Sequence, residues 1–250
     1  MAQMQSNNPV FAQAPTLKTP SPAQLQEMYD AQPRLTMDDV VNRTALLLGI
    51  LTITGAATWY LDLGMGAVLL AGLVGFGLAL VNIFKREVVP ALVLAYAAIE
   101  GVFVGGVSHV YNDRWHGIAM QAALGTAVVF GGVLYAYKSG RLRATPRFAK
   151  MVTGAFIGLF GLLLVNYLVS AFDGAGNGFG LRSGGSAAIL FSIAFIAVGS
   201  MTFVLDFDQA EKMIAAGVPE KESWRIGFGL VVGLVWLYLE ILRLLSYFRD

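Results

Sequence analysis

The stretch LVWLYLEILRLLSYF, residues 234–248, decides the fold class because it is almost wholly apolar and yet carries Glu240 and Arg243. It ends an apolar run, 225–248, that is long enough for a helix that crosses a membrane. An ionisable side chain inside such a helix costs roughly 3 kcal/mol on insertion scales, so it is normally paired or faces a polar interior. The sequence therefore raises the question of what Glu240 faces.

The composition of the whole chain agrees with a membrane protein. Of its 250 residues, 56% are hydrophobic, only 13% are charged and 29 are glycine, a balance that favours packed membrane helices over a soluble domain. A net charge of +1 without a basic stripe argues against a nucleic-acid partner. The absence of cysteine excludes disulfides and thiolate ligands, and two histidines are too few for a histidine-built metal site.

A helix needs about 20 mostly apolar residues to cross the hydrocarbon core of a bilayer, and seven segments meet that rule. The sequence therefore predicts an all-α, polytopic membrane domain over residues 37–250. The predicted spans are 43–61, 64–84, 88–110, 117–137, 148–171, 186–207 and 225–248.

The residues before the first span form a polar segment, 1–36, that is rich in Gln, Asn, Pro, Ser and Ala and is predicted to be a disordered cytoplasmic tail. At its end, Thr36 is followed three residues later by Asp39. This spacing predicts a capping box and a helix that begins near Met37.

Lysine and arginine are distributed unevenly between the two sides. Most lie in the connections on the side of the N-terminus, above all in 138–147, whereas Arg114, Arg182 and Arg249 lie on the other side. Cytoplasmic loops carry the excess of positive charge. The N-terminus is therefore predicted to be cytoplasmic, the connection 172–186 to be outside, and Arg243 to be the one cation embedded in a span.

Three acids lie within or at the edge of predicted spans, namely Glu100, Asp206 and Glu240. Each must be neutral, paired, or in contact with a polar cavity. Arg243 shares a helix face with Glu240 at a spacing of i+3, so a static Glu240–Arg243 pair is one alternative to a functional role. Asp208, at the end of the sixth span, is interpreted as a solvated helix end.

Glycines at a spacing of four line one face of a helix and let a neighbouring backbone approach closely. The chain has three such pairs in its spans: Gly101 with Gly105, Gly154 with Gly158, and Gly229 with Gly233. They predict tight packing between helices and do not by themselves indicate a ligand.

Three separated segments, AAIEGVFVGG at 97–106, LDFDQAEKMI at 205–214 and residues 234–248, resemble motifs of the transmembrane Bax-inhibitor-motif family. The resemblance covers about residues 40–250, and the segment LTMDDVVNRT at 35–44 is similar to an actinobacterial branch. It implies a multi-pass protein of the bacterial plasma (inner) membrane, built as a seven-helix bundle in which the last helix is central.

The resemblance also implies a function, that of a pH-sensitive Ca²⁺ leak channel gated by two acids on the last two helices. Asp206 matches the first acid, Glu240 occupies the place of the second, and Glu100 matches an acid of the third helix in the ion pathway. Asp206 and Glu240 are then also the implied Ca²⁺ ligands, and Arg243 is an extra cation that could tune them. Two departures are that the second acid is usually Asp and that the connector between the acids is longer here.

Such a pair can act as a switch. Two carboxyl groups in a poorly solvated site cannot easily both ionise, so they titrate as a unit. The ionised pair repels itself or recruits a cation, and Ca²⁺ prefers oxygen ligands. Two alternatives stay open, a non-conducting regulator that binds another membrane protein such as a protease, and a proton-coupled transporter.

An enzyme is not expected, and no cofactor is predicted. The run GAGNGFG at 174–180 follows no strand, so it is interpreted as a flexible connection and not as a nucleotide loop. His109 and His116 have no acidic or cysteine partner at metal-ligand spacing in the sequence, so they are interpreted as interfacial polar residues. The expected partners are the lipid bilayer, Ca²⁺ and protons, and a membrane protein in the regulator alternative.

The predicted orientation can be tested directly because the chain contains no cysteine. We expect Ser139→Cys, in the connection 138–147, to react with a membrane-impermeant maleimide only after the cells are opened. Ser183→Cys, in the connection 172–186, should react in intact cells. Labelling of Ser139→Cys from outside intact cells would overturn the orientation.

Overall fold

The computed structural model describes Ser21 and residues 33–172 and 178–249. Residues 34–250 form one compact unit. Of the residues before them, only Ser21 and Pro33 are described. The predicted tail and residues 173–177 of the GAGNGFG connection therefore lie largely outside the described residues.

The described part of the chain contains seven α-helices, each long and apolar enough to cross a membrane, as the sequence predicts. They are α1 (Met37–Leu61), α2 (Met65–Phe84), α3 (Pro90–Arg114), α4 (Ile118–Lys138), α5 (Pro146–Ser170), α6 (Ser186–Ala215) and α7 (Ser223–Tyr247). A short 3-10 turn, Glu220–Glu222, leads into α7. The all-helical, polytopic fold class is thus confirmed.

The first helix begins where its capping box predicts. The Thr36 hydroxyl accepts a hydrogen bond from the backbone N–H of Asp39, and the Asp39 carboxylate accepts one from the backbone N–H of Thr36. Two of the helix's otherwise unpaired donors are satisfied in this way.

Helix α6 extends beyond the predicted sixth span, which stops at residue 207, and continues to Ala215. Polar residues continue the helix once the apolar run has ended. Asp208 forms an ion pair with Lys212 one turn later at 2.5 Å, and the Tyr137 hydroxyl of α4 donates a 2.7 Å hydrogen bond to Glu211. Asp208 is therefore part of a helix and not of the connection.

Helix α7 lies at the centre of the bundle, because α1, α3, α4 and α6 all pack against it. One of its faces, with Phe228, Val231 and Val235, joins a core cluster with α1 and α3. Another face, with Leu230 and Leu237, joins a second cluster with α4 and α6. Helices α2 and α5 are peripheral, since α2 packs on α3 and α5 packs on α6.

Helices α1 and α3 approach each other through glycine. A Cβ atom at Gly105 would overlap the backbone of Gly55, and a Cβ atom at Gly101 would overlap Leu51 and Thr54. One predicted glycine pair is therefore a packing contact. A Cβ atom at Gly154 or Gly158 of α5, in contrast, would meet no atom within 4 Å.

Alanine substitutions should separate these two kinds of glycine. We expect Gly105→Ala to lower the free energy of unfolding by about 1–3 kcal/mol, because the added methyl group forces α1 and α3 apart. Gly154→Ala, the matched control, should be neutral or stabilising by about 0.5–1 kcal/mol, because alanine is the better helix former. Thermal unfolding of the purified variants in detergent measures both, and equal stabilities would contradict the packing role of Gly105.

Candidate functional site

Glu240 of α7 is almost completely buried, with 2% of its surface exposed, and it is held by two arginines. Arg182, in the connection between α5 and α6, donates a 2.7 Å hydrogen bond from Nη1 to Oε1 of Glu240. Arg243, one turn further along α7, donates a 3.3 Å hydrogen bond from Nη1 to Oε2. Each carboxylate oxygen therefore has its own guanidinium partner, and the three residues form the buried charge cluster.

Arg182 enters this cluster because its connection folds back onto the bundle. Only 12% of its side chain is exposed, and its guanidinium lies over the rings of Phe191 and Phe195 of α6, at 5.3 and 5.5 Å from their centroids. Cation–π contacts of this kind stabilise a guanidinium that has left water. The aromatic start of α6 thus forms one wall of the cluster.

Asn166 of α5 fixes the connection from the opposite side. It is 2% exposed, and its Oδ1 accepts hydrogen bonds from the backbone N–H groups of Phe179 (2.9 Å) and Leu181 (3.4 Å). Because Leu181 immediately precedes Arg182, this amide positions the arginine as well as satisfying the backbone. Gly184, further along the connection, has a left-handed backbone conformation with φ of 89°, and a Cβ atom there would lie 3.8 Å from the ring of Tyr247.

Asp206 is not brought to Glu240. Helices α6 and α7 run antiparallel, and Gly199 lies against Trp236 while Gly233 lies against Phe203. This register places Asp206 level with residues 229–230 of α7. At a rise of 1.5 Å per residue, Glu240 lies about 15 Å further along the helix axis. The two carboxylates therefore do not contact each other in this structure.

Glu100 lies in the same half of the bundle as Asp206. Helices α3 and α7 are parallel, since Tyr96 packs on Phe228 and the Ser108 hydroxyl hydrogen-bonds the Tyr238 hydroxyl at 2.6 Å. This register places Glu100 near the level of residue 232. Its carboxylate points at α2, where a Cβ atom on Gly75 would lie 2.6 Å from Oε2.

Asp206 and Glu100 share a second property. Both are half-buried, and neither has a hydrogen-bonded or ion-paired partner within the described part of the chain. The three acids are thus divided into one paired carboxylate near one end of the bundle and two unpartnered ones nearer the other.

Sequence reasoning found Glu240 and Arg243 but missed Arg182 and Asn166. The i+3 spacing identifies Arg243 as a neighbour, whereas charge counting only places Arg182 in the connection predicted to be outside. The available signal was the position of an arginine four residues before the start of an apolar span. His109 also differs from expectation, because its Nδ1 lies 3.4 Å from the carboxylate of Asp113.

The described residues contain no group of three or more acidic, histidine or cysteine side chains that could hold a metal ion. Because about 15 Å of helix separates Asp206 from Glu240, the two carboxylates do not coordinate one Ca²⁺ ion together in this arrangement. The arrangement in the structure is instead that of a buried carboxylate whose two oxygens are each held by a guanidinium group.

Comparison with known proteins gives one match over almost the whole chain. The family model described as Bax inhibitor 1 like matches residues 8–250. A comparison with curated proteins finds no match.

Removing Arg182 should destabilise the fold. We expect Arg182→Gln to lower the free energy of unfolding by about 3 kcal/mol, the lower end of the range for breaking a buried ion pair, because Arg243 remains. The double variant Arg182→Gln with Glu240→Gln should lose clearly less than the sum of the single losses, since the two residues interact.

The matched control is Lys212→Gln, which breaks an exposed i,i+4 pair whose lysine is 68% exposed. That variant should lose less than about 1 kcal/mol. Unfolding by heat or denaturant in detergent measures all four proteins, and additive losses for Arg182 and Glu240 would contradict the pairing.

Proposed function

The chain belongs to the Bax inhibitor 1-like family, and we propose that it is a pH-sensitive cation leak pathway, with Ca²⁺ as its ion, in a bacterial plasma membrane. In this proposal the N-terminus is cytoplasmic, so the buried charge cluster lies near the outer end of the bundle. The observation that carries the proposal is the burial of Glu240 on the central helix beneath an arginine that belongs to a connection between helices.

The cluster is suited to closing a pathway. Two guanidinium groups beside the central helix repel cations, and the connection that carries Arg182 covers Glu240. Protonation of Glu240 would remove the charge that holds both arginines. The connection that carries Arg182 would then move away from the bundle while the helices stay in place. A local loss of charge would in this way open the whole pathway.

The two unpartnered acids give the pathway its cation preference. Asp206 and Glu100 lie in the half of the bundle away from the cluster, and carboxylate oxygens are the ligands that Ca²⁺ prefers. Carboxylates facing a membrane interior commonly mark ion or proton pathways. In this arrangement the acids act in sequence along the bundle, so a direct contact between Asp206 and Glu240 is not required.

The test is Ca²⁺ flux into proteoliposomes that contain the purified protein, measured at several pH values. We expect wild-type flux to change with pH, Glu240→Gln to lose most of that dependence, and Arg182→Gln to conduct more at neutral pH. Arg249→Gln, at the same end of the bundle but outside the cluster, should behave as wild type. Absence of flux in wild type would favour the non-conducting regulator, and flux coupled stoichiometrically to a proton gradient would favour the transporter.

Asp206→Asn distinguishes separated acids from a direct pair. Because about 15 Å of helix separates the two side chains, their effects on the pH profile should add when Asp206→Asn and Glu240→Gln are combined. A directly coupled pair titrates as a unit, so its double variant would resemble either single one. That outcome would contradict the separation in the structure.

A further inference from the structure

The connection between α4 and α5 carries a dense run of positive charge. Residues 138–150, the basic segment, contain five cations and no acid. All five side chains are exposed, and none has an ion pair or a side-chain hydrogen bond within the part of the chain that the structure describes. They are Lys138, Arg141, Arg143, Arg147 and Lys150.

Two arginines elsewhere at this end of the bundle are paired with acids. Arg43 of α1 pairs with Glu220 at 3.2 Å, and Arg225 of α7 pairs with Glu222 at 2.7 Å. Glu211, on the extension of α6, is hydrogen-bonded to a tyrosine of α4 and not to a cation of the basic segment. The positive charge of the basic segment is therefore not balanced by the described residues.

Both ends of this connection are fixed by hydrogen bonds. Gly140 ends α4 with a left-handed φ of 72°, and the N–H of Leu142 donates a 3.0 Å hydrogen bond to the carbonyl oxygen of Ala136. Thr145 begins α5, where its hydroxyl accepts a 3.2 Å hydrogen bond from the backbone N–H of Phe148. The arginines project from an ordered turn, so little backbone entropy is lost when they bind a ligand.

The place of the basic segment in the fold indicates what it faces. It joins α4 to the peripheral helix α5, so it lies at the edge of the bundle and not over its centre. Because both helices are long enough to cross a membrane, the connection between them lies at the level of the lipid headgroups. Tyr135, one turn before the segment, is 65% exposed, as is common for tyrosine at a membrane interface.

The first turn of α5 adds to the positive potential. Arg147 and Lys150 lie three residues apart and share a face of the helix, and the first turn contains no acid. The N-terminal end of a helix carries a partial positive charge, which disfavours cations there and favours phosphate. This arrangement costs folding stability unless an anion offsets it.

We propose that the basic segment is a docking surface for the headgroups of anionic phospholipids. Arg141 and Arg143 would donate hydrogen bonds to a lipid phosphate, for which the planar guanidinium group is suited. The exposed side chains of Tyr135 and Met151 would contact the acyl chains of the same lipids. A zwitterionic lipid carries the same phosphate with a compensating cation, so the segment selects lipids by their net charge. This selectivity goes beyond the leak pathway, which does not require it.

The test uses the full-length chain in bilayer discs, with a fluorophore attached to Ser139→Cys at the exposed start of the segment. Phosphatidylglycerol and phosphatidylcholine, each with a nitroxide quencher near its headgroup, are compared by the association constants that their quenching gives. We expect the anionic lipid to be favoured by about five-fold or more, and the preference to fall as salt is raised. Arg141→Gln combined with Arg143→Gln should bring the ratio close to one.

Two control variants isolate the position and the sign of the charge. Lys85→Gln combined with Arg86→Gln removes the same number of charges from another connection at this end of the bundle and should keep the preference. Arg141→Lys combined with Arg143→Lys keeps the charge and should keep most of the preference.

A preference that survives the double glutamine variant at positions 141 and 143 would overturn the proposal. Equal association of the two lipids with the unsubstituted segment would also overturn it and would indicate a soluble acidic partner instead. The discs expose both leaflets and the measurement needs no ion flux. Failure here is therefore distinct from failure of the leak pathway or of the predicted orientation.

Discussion

The central constraint on this molecule is that the carboxylate of Glu240 lies inside the bundle, where water cannot solvate it. A buried charge is tolerated only when it is paired and hydrogen-bonded, and both oxygens of Glu240 are satisfied by guanidinium groups. One partner, Arg243, lies three residues further along the same helix, so helix geometry alone brings it to Glu240. The other, Arg182, requires the connection before α6 to fold over the end of the bundle, where Asn166 accepts hydrogen bonds from the backbone of that connection.

The same constraint separates the acids into two kinds. Glu240 faces cations, whereas Asp206 and Glu100 lie one-third to one-half of a membrane thickness away without a partner among the described residues. Buried ion pairs contribute little net stability, because desolvation offsets most of the attraction between the charges. The buried pair on the central helix is therefore not explained by net stability alone. In the proposed leak pathway, Glu240 would therefore act through the arginines that hold it and not through a proton shared with Asp206.

The fold was predictable from sequence because hydropathy and helix length are local properties. Seven apolar runs, the capping box at Thr36 and the glycines of α3 each act within one helix turn or one span. The extension of α6 was missed because it rests on polar pairs after the apolar run ends. The partner of Glu240 was found only in part, since Arg243 is three residues away and Arg182 is 58 residues away. A contact of the second kind depends on how a connection folds, which no periodicity encodes.

The structure also gives a physical reason for glutamate at position 240, where the resemblance implies aspartate. Its two oxygens receive hydrogen bonds from different directions, one from a connection above the helix and one from the next turn of α7. The extra methylene carries the carboxylate away from the α7 backbone, towards the connection that bears Arg182. An aspartate would hold its oxygens closer to the helix axis. Arg243 can still reach them there, but Arg182 and its connection would have to move closer to α7. The longer side chain of Glu240 therefore suits the position that the folded connection gives to Arg182. Glutamate is explained at this position by the place of that second guanidinium group.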